Sequence, residues 1–184
     1  MNTRIIPTQV HGALDYLASG VNLVFPRLLG LHDAPWAARV PSIDGAAGVG
    51  YSLITAYELG ALKVLPMPAH LALDAAKGAF MLASPWLFGF ADVTAAKWLA
   101  VIFGLGAILY SAVTDYELGL VRILPMVLHL GLDGLAGAFL AVSPWLFGFA
   151  DRVFWPHLAF GLFSVVASLI TRTDVMQATG RQAA

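Results

Sequence analysis

A step of 59 residues runs through this chain and constrains its fold more than any local pattern does. Residues 66–90 read PMPAHLALDAAKGAFMLASPWLFGF, and residues 125–149 read PMVLHLGLDGLAGAFLAVSPWLFGF. Of the 42 positions from 51 to 92, 26 are identical to their partners 59 further on. A worn copy precedes them at residues 7–31, PTQVHGALDYLASGVNLVFPRLLGL. The same step links Pro7, Pro66 and Pro125; His11, His70 and His129; Asp15, Asp74 and Asp133. Arg4, Lys63 and Arg122 stand three residues before each first proline. Three tandem units follow, residues 4–62, 63–121 and 122–174, with 175–184 as a frayed tail.

Each unit has room for two helices, and composition says where they sit. The chain is 59% hydrophobic and 11% charged, with mean hydropathy +0.80. A soluble domain has about 45 to 50% apolar and about 25% charged residues. A membrane protein is implied, with the lipid bilayer as its main partner. A net charge of −1 offers no basic surface for nucleic acid, and the absence of cysteine removes disulfides and thiolate chemistry. The apolar N-terminal run carries His11 and Asp15 and matches the internal repeat, so it reads as retained helix and not as a cleaved signal.

The expected fold is all-α: one polytopic membrane domain of six transmembrane helices, as three two-helix repeats. Helices are expected over residues 7–25, 45–59, 66–83, 92–117, 125–142 and 153–170. Pro26 and its equivalents should end the odd helices, Gly60 should close the second, and Asp92 should cap the fourth. Residues 27–44 would form a connection at the membrane surface. Two crossings per unit make the copies parallel repeats, which implies a pseudo-threefold bundle about the membrane normal. Arg4, Lys63, Arg122, Arg172 and Arg181 gather on one face, against Arg27, Arg39, Lys97 and Arg152 on the other. That excess places both termini in the cytoplasm.

The doubled SPWLFGF carries a resemblance. Ser84, Pro85, Trp86 and Ser143, Pro144, Trp145 are similar to the motif of the SPW-repeat family of bacterial integral membrane proteins. The resemblance implies paired transmembrane helices in a multi-pass protein of the bacterial inner membrane, and no defined activity. The first copy has Phe25, Pro26 and Arg27 at the corresponding positions.

The polar residues inside the apolar repeats are the candidate site. Positions four apart share a helix face, so His11 with Asp15, His70 with Asp74 and His129 with Asp133 each line one stripe. Lys77 extends the second stripe and is expected to neutralise Asp74; Ser19 and Asn22 extend the first. A charge near mid-span costs at least about 2.5 kcal/mol, so these groups should turn inward toward partners. One reading is a polar network that locks helix to helix. The working function is proton or cation translocation along the stacked histidines and aspartates, although Lys77 opposes free cation flow.

A third reading is a metal centre on His11, His70 and His129, binding zinc, copper or a haem, with the aspartates behind and Met67 and Met126 as soft ligands. Such a protein would be a structural or metal-binding subunit, as a homo-oligomer or within a larger membrane complex. His32 and His157 are expected in interfacial loops, and Glu58 and Glu117 are expected to pair with Lys63 and Arg122. No phosphate loop, nucleophile turn or HExxH site is present, so no enzyme is expected.

Overall fold

The computed structural model describes residues 8–28, 34–56, 59–115 and 120–170, and all six of their elements are α-helices. They are α1 Thr8–Leu28, α2 Pro35–Ile54, α3 Met67–Leu87, α4 Thr94–Val113, α5 Met126–Leu146 and α6 Trp155–Ile170. The chain falls into two compact units, Gln9–Ser111 with α1, α2, α3 and most of α4, and the residues from Ala112 onward with α5 and α6.

Successive helices close into hairpins through small residues at one repeated level. A Cβ on Gly45 of α2 would lie 2.6 Å from the Leu23 nitrogen of α1. One on Gly104 of α4 would lie 2.7 Å from the Gly78 oxygen and the Leu82 Cα of α3. One on Gly161 of α6 would meet Ala141 of α5 at 2.5 to 2.7 Å. Each even helix therefore rests backbone to backbone on the odd helix before it, the close approach that small residues permit in membranes. Gly45 to Gly104 keeps the 59-residue step, whereas Gly104 to Gly161 is 57. Two residues are missing from the third copy between Asp151 and Trp155, and the even-helix register slips there.

Several expected boundaries differ. Residues 35–44 are the first half of α2, with Pro35 in its opening turn and Pro41 inside it, and α2 ends at Ile54, before Gly60. Proline at the start of a helix forfeits no bond, which explains how Pro35 opens one. The odd helices run through Pro26, Pro85 and Pro144 and end two residues later, at Leu28, Leu87 and Leu146. Asp92 lies one residue too early for a cap: Val93 supplies the first α4 carbonyl, to Lys97 N at 2.9 Å.

The SPWLFGF segment explains how the helix survives its proline. Pro85 has no N–H to give the Met81 carbonyl, and the Ser84 hydroxyl donates to that carbonyl instead, at 2.8 Å. Ser143 does the same for Leu140, which Pro144 would otherwise leave unpaired. Both serines are completely buried, while Trp86 and Trp145 are more than half exposed. Gly89 and Gly148 then adopt φ of +69° and +68°, and Phe90 N and Phe149 N return to the Pro85 and Pro144 carbonyls at 2.8 Å. This is a glycine-terminated helix end, closed by a bond that spans the last turn.

The α2–α3 and α4–α5 connections are also copies of one another. Val64 N and Leu65 N bond the Ile54 carbonyl, and Ile123 N and Leu124 N bond that of Val113. Lys63 and Arg122 take φ of 49° and 51°, left-handed values uncommon outside glycine. Glu58 and Glu117, their expected partners, lie outside the described residues.

Candidate functional site

The polar residues of α2 and α3 meet as rungs between two antiparallel helices. Thr55, just past the end of α2, stands 2.7 Å from Nδ1 of His70 on the first turn of α3. One turn deeper, the Tyr51 hydroxyl donates to Asp74 Oδ1 at 2.5 Å. Deeper still, Lys77 Nζ lies 3.3 Å from Asp44 Oδ2. Lys77 is ten residues into α3, about 15 Å along its axis. α1 adds Asn22, whose amide donates to Asp44 Oδ2 at 3.3 Å, and Ser19, packed against Gly48.

The first rung fixes a proton. Thr55 donates its only hydroxyl proton to the Tyr51 carbonyl at 2.7 Å, so toward His70 it acts as acceptor and Nδ1 carries the hydrogen. In the neutral ring Nε2 then carries the lone pair, and it lies 3.6 Å from Asp74 Oδ2, beyond direct hydrogen-bond distance. Adding a proton to Nε2 turns an unfavourable facing of lone pairs into an ion pair. The Tyr51 ring packs edge-on against His70 at 4.7 Å and lies under Lys77 Nζ at 5.8 Å, linking the three rungs. His70 and Asp44 are each 12% exposed at the side chain and Lys77 26%, but Asp74 is 46% exposed. Asp74 is the open rung.

The other unit repeats the beginning of the arrangement. Thr114 is 2.7 Å from His129 Nδ1, and His129 Nε2 is 3.7 Å from Asp133 Oδ2. In the sequence, the positions 59 residues past Asp44 and Lys77 are Phe103 and Ala136. The side chains of His11 and Asp15 lie outside the described residues, as do those of Met67 and Met126.

The two described His and Asp pairs lie 3.6 and 3.7 Å apart along their helices, and sequence reasoning had not named their partners. Lys77 turns to Asp44 across the helix interface, where Asp74 had been the expected partner. Asp44 had been assigned to a surface connection. Thr55 and Thr114 were legible in principle, since both stand 15 residues before their histidines in the 59-residue step. His157 is not in a loop but in the first turn of α6, where its ring meets Phe149 at 5.1 Å and its buried Nδ1 has no hydrogen-bond partner among the described residues. Among the described residues no group of three His, Asp or Glu side chains converges as a metal site.

Beyond the deep rung the interface turns apolar. Val40, Phe90 and Ala100 form a buried cluster ringed by Trp36, Phe80, Met81, Phe88 and Ala96, with Trp36 stacked on Phe90 at 4.5 Å. Thr55 at the other end of the ladder is fully buried, and Asp74 is its most exposed group.

Comparison with known families bears on the setting of this ladder. A profile of the SPW repeat domain matches residues 9–114 and again 70–171, two overlapping segments offset by one hairpin. The chain belongs to the SPW repeat family. Each SPW match spans two hairpins, so the three hairpins here hold two frames of the same unit. No curated protein and no solved structure matches the chain. Two helices, Thr94–Val113 and Val127–Leu146, are long and apolar enough to cross a membrane, and α6 is a shorter apolar helix. With the SPW match they mark a membrane-associated protein. α3 differs from α5 in having Lys77 where α5 has Ala136, and Pro68 and Ala69 where α5 has Val127 and Leu128, which lowers its hydropathy.

Proposed function

We propose that this SPW repeat protein crosses the membrane six times and that its α2–α3 ladder takes up and releases a proton from one membrane face. The observation that carries the reading is the fixed ring of His70: Thr55 holds its Nδ1 hydrogen, which leaves Nε2 as the accepting atom beside Asp74. Charge balance supports it. With His70 neutral the ladder holds Asp44, Asp74 and Lys77, a net charge of −1, and one added proton neutralises it. Lys77 opposes occupation by a metal cation, because its fixed charge already satisfies Asp44 at 3.3 Å.

The apolar cluster around Phe90 limits the pathway. Passage of a proton across the whole bilayer needs a second polar route past Trp36, Phe80 and Phe90, so exchange with one face is the step the geometry favours. A purely structural role has one observation on its side, the Lys77–Asp44 tie between helices. The two readings separate in purified protein reconstituted in lipid. Proton uptake on acidification, counted with a pH dye, should be one per chain higher in the wild type than in Asp74→Asn. Equal uptake, with Asp74→Asn altering only thermal stability, would leave the structural role standing.

A further inference from the structure

Beside the contact of α2 with Leu23 of α1 lies an open groove of about 340 Å³, lined by Leu23, Ala38, Arg39, Ser42, Ile43 and Ala46. We infer that this groove holds one acyl chain of an anionic phospholipid whose phosphate is bound by Arg39. Its α2 members recur at steps of three and four, a single stripe that descends about 10 Å from Arg39 to Ala46. The stripe is apolar below its first turn. Ser42, the one hydroxyl in the wall, donates to the Leu23 carbonyl at 3.3 Å and so presents no polar group to a chain lying there.

Arg39 is exposed on the second turn of α2, the depth at which a helix of 20 residues meets headgroups, and no described residue forms an ion pair with it. Its planar fork suits a phosphodiester, and its stem can lie along the groove while the charge reaches the interface. The Gly45 contact with Leu23 closes the inner end, so an occupant enters from the side and stops there. An apolar channel with one cation at its mouth has the charge and polarity order of an acidic lipid, read from headgroup to tail.

The test uses the full-length protein in detergent, with lipid retention read by native mass spectrometry. Phosphatidylglycerol should be retained about fivefold more than phosphatidylcholine, the preference one basic residue confers at a membrane surface. Arg39→Gln should remove that preference, Arg39→Lys should keep part of it, and Ala46→Leu, which fills the groove, should reduce retention of both lipids. Inorganic phosphate should not displace the bound lipid. Equal retention of the two lipids by the wild type would overturn the assignment, as would an unchanged preference in Arg39→Gln or displacement by phosphate alone. Melting temperature is followed for every variant, and Ala46→Leu carries the test if Arg39→Gln does not fold.

Discussion

Ser84 and Thr55 show how a single hydroxyl decides the behaviour of a helix here. Ser84 covers the carbonyl that Pro85 strands, in a position with no access to water. Ser84→Ala should therefore cost about 1 to 3 kcal/mol, the penalty for a buried unpaired acceptor. Ser143→Ala should cost a similar amount, measured by chemical unfolding in detergent. If both variants match the wild type, the hydroxyl has no such part. Thr55→Val removes the acceptor that holds Nδ1–H of His70, at almost unchanged volume. The ring should then populate both neutral tautomers, visible as a shift in its nitrogen resonances, and an unaltered spectrum would show that the tautomer is set elsewhere.

Helix packing rests on the glycines that face a backbone, and the chain carries its own controls. Gly104→Ala places a methyl 2.7 Å from Gly78 O and Leu82 Cα, atoms that cannot swing aside, whereas Gly106→Ala meets nothing within 4 Å. The first substitution should lower the melting temperature by several degrees and the second leave it unchanged or slightly raised. Equal effects would mean that α3 and α4 are not held this closely.

Elements are also where the sequence was least legible. Proline was expected to stop the odd helices because its ring breaks the bond four residues back, but the serine before it repairs that bond in two copies. The start of α2 was hidden by Pro35 and Pro41, which resemble loop punctuation when read without their neighbours. The two-residue slip in the third copy was invisible because the odd helices keep the 59-residue step throughout. By contrast, the His and Asp pairs were readable at once, since a spacing of four fixes them within one helix.

At the scale of the molecule, the first two hairpins concentrate the charge and the last one does not. Lys77 and Asp44 stand 33 residues apart on different helices, so nothing local announced their pairing. Breaking it should be costly: Asp44→Asn leaves a half-buried ammonium without its counter-charge, and a loss of about 3 kcal/mol is expected. Replacing both, as Asp44→Leu with Lys77→Met, should recover most of that loss in the same unfolding assay. A double variant as unstable as the single one would show that the pair contributes more than mutual neutralisation. The SPW motif announced the family, while the ladder and the apolar cluster beyond it required the helix-to-helix geometry.

The most direct test is nitrogen NMR of His70, labelled in protein held in lipid bilayers and titrated between about pH 8 and 5. The ladder predicts that the neutral ring carries its hydrogen on Nδ1, with Nε2 as the atom that accepts a further proton. A neutral ring protonated at Nε2 would contradict proton uptake at this pair.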